Sequence, residues 1–367
     1  MTHYDIALVG SGSVNSFPGP DLAGRSIVQI DRGVGPDRVF GGTCLNLGCI
    51  PTKMFVHTAD LARTPAESSR FGGVDEKLET VRWPDIRDRI FGRIDPISQG
   101  GGEEYRRDHE DNANLTLLRG TARFTAARTL SVELTDGSVE EVTADVIVLG
   151  AGSRPTIPPI DGLADAAPHT SDTIMRVEQL PSSLIILGSG GVVAVEMAHV
   201  LSSLGVEVTL VARSSRVLRR ADRDVSARLT EILGERIRLE TELETTQVRR
   251  TAVGIELHGH RSTSPGRGGE DVVLKAEEIL VATGRRPQLR PARRRAGGNR
   301  CRRRRTSPRR RPSAGPRIED ERWRRGRAED RGRRVGSCGR RGIHGARRDL
   351  GSGGHLQPAP AQARREP

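Results

Sequence analysis

An α/β fold with two parallel-sheet units follows from three observations in this 367-residue chain. Two apolar runs of strand length, Ile6 to Val9 and Pro181 to Leu187, each end in a glycine-rich turn. Each is followed about 20 residues later by a second apolar run, Ile27 to Ile30 and Val206 to Val211, which is the spacing of a strand, a connection and a parallel strand. The third observation is length, which is enough for two or three domains with cores of their own. The predicted architecture is therefore two Rossmann-like units, each a three-layer ββα arrangement.

The elements can be justified in chain order. Ile6-Ala7-Leu8-Val9 has no polar alternation and reads as a buried parallel strand. The turn Gly10-Ser11-Gly12-Ser13-Val14-Asn15 follows, with glycines that let the backbone approach a pyrophosphate at a helix N-terminus. Asn15 stands at the third glycine position. Asp31 closes the second strand, where a carboxylate accepts from a ribose hydroxyl. Phe17 to Leu22, rich in Pro and Gly, and a long spacer from Arg32 to Phe40 depart from the compact form of this unit.

Cys44 and Cys49, with four residues between them, can meet across about one turn of helix and cycle between dithiol and disulfide with little backbone motion. A metal half-site or two inert buried thiols are the alternatives. Only Cys301 and Cys338 remain elsewhere, so no metal centre is expected.

The string Gly-Gly-Thr-Cys-Leu-Asn-Leu-Gly-Cys-Ile-Pro-Thr-Lys, from Gly41 to Lys53, resembles the active-site signature of the flavin-dependent pyridine nucleotide-disulfide oxidoreductases. The resemblance implies an FAD domain over 1–150, interrupted by an NADPH domain over 151–287, and then a C-terminal interface domain. It implies that Cys49 is the flavin-proximal thiol and Cys44 the thiol that attacks substrate. Lys53 would lie near the flavin N5, paired with Glu196, stabilising charge on the reduced ring and depressing a nearby thiol pKa. Gly42, Thr43, Gly152, Ser171 and Gly284 fall in segments that the resemblance assigns to cofactor binding; Val146 to Pro155 matches the strand and turn that end the first FAD segment.

The second turn, Gly188-Ser189-Gly190-Gly191-Val192-Val193-Ala194-Val195-Glu196, admits two registers. Counting from Gly188 puts Val193 at the third glycine position; counting back from Glu196 puts Ser189 first, Gly191 second and Ala194 third, as though one residue were inserted. After Val211, where an acid would bind an NAD ribose, the chain has Arg213 and Arg219, which suit a 2′-phosphate and resemble the NADPH-binding pair of the family's glutathione reductase branch. A solvated basic loop is the plain alternative.

The formal charge of +12 suggests a nucleic-acid binder until its distribution is read. Residues 285–367 hold 28 Arg, no Lys and 7 acids, whereas 1–284 hold 31 basic and 40 acidic residues. A tail with runs such as Arg302 to Arg305, few apolar residues and no period is expected to be disordered. It carries one Trp and no Lys, so a nucleic-acid arm is disfavoured against a solvated linker or an out-of-frame translation of a GC-rich gene. On that last reading the frame breaks near Pro287 to Arg290, and shifting Gly351 to Pro367 by one base permits an Ala-x-Gly-Asp stretch like the family's FAD-binding one. No histidine after the break has the context of the family's partner-subunit acid–base His. The chain as written is then expected to lack the interface domain, to bind FAD poorly, not to dimerise normally and to have little reductase activity.

Trp83-Pro84-Asp85, Phe91 to Ile97 and His169 to Arg176 resemble a branch of the family that reduces the disulfide of a low-molecular-weight thiol, with Arg89, Arg93 and Tyr105 as candidate lining residues. No basic leader and no membrane-length apolar run is present, so a cytoplasmic setting is expected.

Overall fold

The computed structural model describes residues 1–68, 72–261 and 269–289, all within one compact unit spanning Met1–Arg300. The tail beyond 289, with its expected disorder, frame break and missing interface domain, lies outside the described residues.

The first segment contains β1 (Thr2–Val9), β2 (Ile27–Asp31), α1 (Gly42–Asn46), α2 (Cys49–Ser68), α3 (Trp83–Pro96), α4 (Glu103–Asp108), β3 (Leu115–Ala126), β4 (Thr129–Leu134) and β5 (Val139–Leu149). β1 lies parallel between β2 and β5, and β2 lies parallel to β3. The far halves of β3 and β5 continue into an antiparallel meander with β4, which closes the five strands into a ring. The period-2 alternation of strands sorts the apolar residues. Ala7, Val28 and Ile30 face the meander with Leu130, Val132 and Val142, while Ile6, Leu8 and Ile27 face the other way with Phe40.

The second segment holds β6 (Ser153–Pro155), β7 (Ser183–Leu187), α5 (Val192–Ser203), β8 (Glu207–Val211), α6 (Arg223–Gly234), β9 (Arg238–Glu240), β10 (Leu243–Thr251), β11 (Gly254–Arg261), β12 (Glu270–Ala276), β13 (Glu278–Val281) and β14 (Arg285–Pro287). A parallel sheet of order β13-β7-β8-β9 carries the antiparallel meander β10-β11-β12 on one face, through Ile185, Leu187, Val211, Leu243 and Leu257. The opposite face, through Leu184, Ile186 and Leu210, packs against helices. This is the predicted ββα layering. The helices on that face are α5 and also α2 and α3 from the first segment, with Phe55, Ala59, Trp83 and Ile90 in the same core. That core draws residues from both sides of position 150.

One expectation fails near the start of the chain. No α-helix follows the first glycine turn; two short 3-10 turns, Ser13–Ser16 and Pro20–Leu22, stand there instead. Pro18 and Pro20 lack the N–H groups a helix needs, and Gly19 between them is extended. At the other end of the segment, β4 pairs with β5 only from Val139 to Thr143, so among the described residues no strand pairs with the outer edge of Asp145 to Leu149. Val146 and Leu149 on that stretch are 54% and 42% exposed.

Candidate active site

Cys44 sits within α1 and Cys49 is the first residue of α2. Both are exposed free thiols. The pair spans the break between two helices and not one continuous turn, because Leu47 leaves the helical conformation. Gly48 makes that break tight: a Cβ there would lie 3.0 Å from the Thr43 carbonyl oxygen and 3.5 Å from the Cys44 Cα. The Cys44 thiol is pushed above the ordinary thiol range, first by its hydrogen bond with Cys49 and then by burial and the neighbouring sulfur's charge. Backbone N–H groups of Cys49 and Ile50 act in the opposite sense, since the N-terminus of α2 donates toward Cys44.

Lys53 lies four residues after Cys49, on the same face of α2 one turn on. Its Nζ donates to Oε1 of Glu196 on α5, a residue 143 positions away. The sequence-predicted pair therefore meets, and it joins the cysteine helix to the helix that follows the second glycine turn.

The first glycine turn and the cysteine segment lie back to back. A Cβ on Gly42 would come within 2.4 Å of Gly12 Cα, and the Gly41 N–H donates to Ser11 Oγ at 2.8 Å. Gly10 takes φ 115° and a Cβ there would meet the Gly150 carbonyl at 2.4 Å, so β1 and β5 end against each other where the turn begins. These backbone-lined turns, with Thr43 beside them, fit the pyrophosphate of a dinucleotide such as FAD. Asn15 is used internally: its side chain accepts from Gln29 Nε2 at 3.2 Å and Arg106 Nε at 3.0 Å, and its carbonyl accepts from the same guanidinium. Asp31 sits at the end of β2. It is buried, with Oδ2 accepting from Arg119 Nη1 at 2.7 Å and from the Gly33 N–H at 2.9 Å. Burial pushes its carboxyl above the usual carboxylate range in spite of Arg119.

At the second turn Gly188 takes φ 113°, the counterpart of Gly10, and a Cβ there would meet Ala282 at 2.9 Å. Gly188 is thus the first glycine by position. Yet the residue of α5 buried against the sheet is Ala194, not Val193. Both registers hold in part, with one extra residue between them. Gly190 and Gly191 have open space where a side chain would stand, and Gly191 caps α5. The loop after β8 folds back on this turn through Leu218 N–H to Ser189 O, 2.9 Å. Arg213 and Arg219 on that loop are exposed, with no hydrogen-bond or ion-pair partner among the described residues. An open glycine turn at a helix N-terminus beside two uncommitted guanidinium groups fits NADPH.

Gly152, Ser171 and Gly284 gather at the β6–β14 ribbon. Arg285 ties them, donating to Ser171 Oγ at 2.9 Å, and Gln288 N–H donates to the Gly152 carbonyl at 3.0 Å. Of the candidate lining residues, Arg89 donates to Thr58 Oγ1, Tyr105 donates to Asp111, and Arg93 is exposed on α3; none of the three hydrogen-bonds to the cysteine segment.

A model of the pyridine nucleotide-disulphide oxidoreductase family matches residues 5–307. The chain belongs to this family. Relatives of this chain include mycothione reductase of Mycobacterium tuberculosis, 41% identical over 287 residues, covering 78% of this chain and 58% of that protein. Mercuric reductase of Streptomyces lividans is 36% identical over 289 residues, covering 78% and 57%. The copper(II) complex of the HOCl-induced flavoprotein disulfide reductase RclA from Escherichia coli has the same fold, with a TM-score of 0.63 at 23% identity, over 79% of this chain and 58% of that one. The chain thus spans somewhat under 60% of the length of the relatives it matches. The oxidoreductase family uses FAD and NAD(P)H.

Sequence reasoning missed Arg106, Arg119 and Arg285, which brace the cofactor-side turns from elements 80 or more residues away. It also missed His199, whose Nε2 lies 2.8 Å from Asp60 Oδ1. The signal for the last was present, since Lys53, Asp60 and Glu67 recur every seven residues on α2.

Proposed function

We propose that this chain is the nucleotide-binding and redox part of an FAD-dependent disulfide reductase that carries electrons from NADPH to the Cys44–Cys49 pair and on to a low-molecular-weight disulfide. The observation that carries this reading is the junction of two thiols in contact at the head of α2 with Lys53, one turn on, held by Glu196 of the second nucleotide unit. FAD, when bound, supplies a two-electron carrier between the nicotinamide and the protein disulfide. On this reading residues 1–150 hold FAD, with Gly10, Gly12, Gly42, Thr43, Gly152 and Gly284 lining its site. Residues 151–287 hold NADPH, with Gly188, Gly190 and Gly191 under the pyrophosphate and Arg213 and Arg219 on the 2′-phosphate.

The thiol steps balance. The Cys44 thiol loses its proton and the thiolate attacks one sulfur of the substrate disulfide, the S–S bond breaks, and the first substrate sulfur leaves as a thiolate that takes up that proton. Cys49 then attacks Cys44 of the mixed disulfide, releasing the second substrate thiol and closing Cys44–Cys49. Two electrons leave the dithiol and reduce one disulfide to two thiols. In the dithiol form, the hydrogen bond between the sulfurs raises the Cys44 thiol above its ordinary range.

Mycothione, the disulfide of mycothiol, is the substrate best supported, by the 41% identity over 287 residues. Mercuric ion is the second reading, supported by the 36% relative. A cytoplasmic setting belongs to the same proposal, whereas the homodimer of the intact family is not expected of this chain; no described helix is long and apolar enough to cross a membrane. The test is NADPH oxidation by the purified, FAD-supplemented chain with mycothione, glutathione disulfide or Hg²⁺. Weak turnover with mycothione that C44S and C49S each abolish is expected; faster turnover with Hg²⁺ favours the second reading, and a chain that takes up neither FAD nor NADPH overturns both. Resequencing the gene past codon 287 in all three frames tests the out-of-frame reading of the tail.

A further inference from the structure

Three acidic–basic contacts run along α2 at seven-residue intervals. Lys53 meets Glu196, Asp60 meets His199 at 2.8 Å, and Glu67 meets Arg236 at 2.9 Å. Seven residues are two helical turns, so the three lie on one face of the helix, each about 10 Å from the next. Their partners all belong to the second segment: Glu196 and His199 sit one turn apart on α5, and Arg236 follows α6. The polarity changes once along the face, with a cation on α2 at Lys53 and anions at Asp60 and Glu67. Reversing the direction of α5 against α2 would set Lys53 against His199 and Asp60 against Glu196, so the pattern admits one orientation only.

We propose that Asp60 and His199 are positioning residues for the Cys44–Cys49 pair, an inference that rests on the redox reading above. Lys53–Glu196 and Glu67–Arg236 hold this face of α2 near its two ends, and the Asp60–His199 contact midway limits the turning of the stretch between them. The rotation of α2 about its axis matters because its first residue is Cys49, and because the Cys49 thiol and the Cys49 and Ile50 N–H groups all point at Cys44. Beneath the tethers Phe55, Ala59, Ala194 and Ala198 pack in one apolar core, which fixes the distance between α2 and α5 while the polar pairs add direction at its rim. Asp60 is more than half exposed, so the pair adds little to stability and acts through geometry.

The test is the equilibrium of the Cys44–Cys49 disulfide against dithiothreitol buffers in the full chain, read by thiol labelling and mass spectrometry. Asp60→Asn and His199→Gln are each expected to move the equilibrium constant by about threefold, the scale of one exposed pair. The double variant should move it no further, and exchanging the residues, Asp60→His with His199→Asp, should restore it. Circular dichroism of each variant confirms that the fold is intact. If the variants are folded and their disulfide equilibrium equals that of the unaltered chain, the positioning role is overturned while the redox reading stands. If the unaltered chain forms no Cys44–Cys49 disulfide under any buffer, the redox reading falls and takes this role with it.

Discussion

Cys44 owes its raised titration chiefly to one neighbour. In Cys49→Ala the hydrogen bond that holds the Cys44 proton and the competing sulfur charge both vanish, while the α2 N–H groups remain. A group whose pKa was raised must then titrate lower, so alkylation of Cys44 by iodoacetamide is expected to rise at a lower pH than in the reduced unaltered chain. A profile unmoved or shifted upward would contradict the contact. Gly48→Ala should slow closure of the disulfide, since the added methyl meets the Thr43 carbonyl and Cys44 backbone; stopped-flow oxidation reads this directly. At this scale the sequence was informative where chemistry is carried by a contiguous motif, as at Cys44, Cys49 and Lys53. It was silent where a side chain is committed by a distant partner. Nothing near Asp31 announces Arg119, 88 residues on, and so its burial in an ion pair could not be read.

Helix α2 is the element on which both segments converge. Phe55, fully buried, stacks on Trp83 at 5.1 Å between centroids and tilts against Phe91 at 6.0 Å. Phe55→Ala should cost about 3–5 kcal/mol, measured by urea unfolding, because removing a ring from this cluster leaves a cavity. The strands were legible because continuous apolar runs have one meaning between glycine turns. The missing first helix was written in Pro18 and Pro20, yet the glycine pattern outweighed them in the reading. The register of the second turn stayed open in the sequence because two criteria, strand end and helix burial, select residues that differ by one, and only coordinates show that Gly188 satisfies the first and Ala194 the second.

For the whole molecule, nucleotide choice is the sharpest prediction. Arg213→Ala and Arg219→Ala should each weaken NADPH binding roughly tenfold, the value of a charge-assisted hydrogen bond, and leave NADH nearly unchanged; titration calorimetry with both nucleotides checks this. The two-unit architecture was visible from spacing alone, whereas the shared core beneath α2, α3 and α5 was not, because contacts between segments leave no local period. The outer edge of β5 has a consequence of a different kind. Among the described residues, the edge of Val146-Ile147-Val148-Leu149 away from β1 has no strand partner on an apolar, uncharged stretch, which is a template for adding another strand. Particle size by light scattering should grow with protein concentration, and Val146→Lys should suppress the growth. Two copies that meet through this same edge use it up on both, so the pairing would be self-limiting and stop at an isologous dimer.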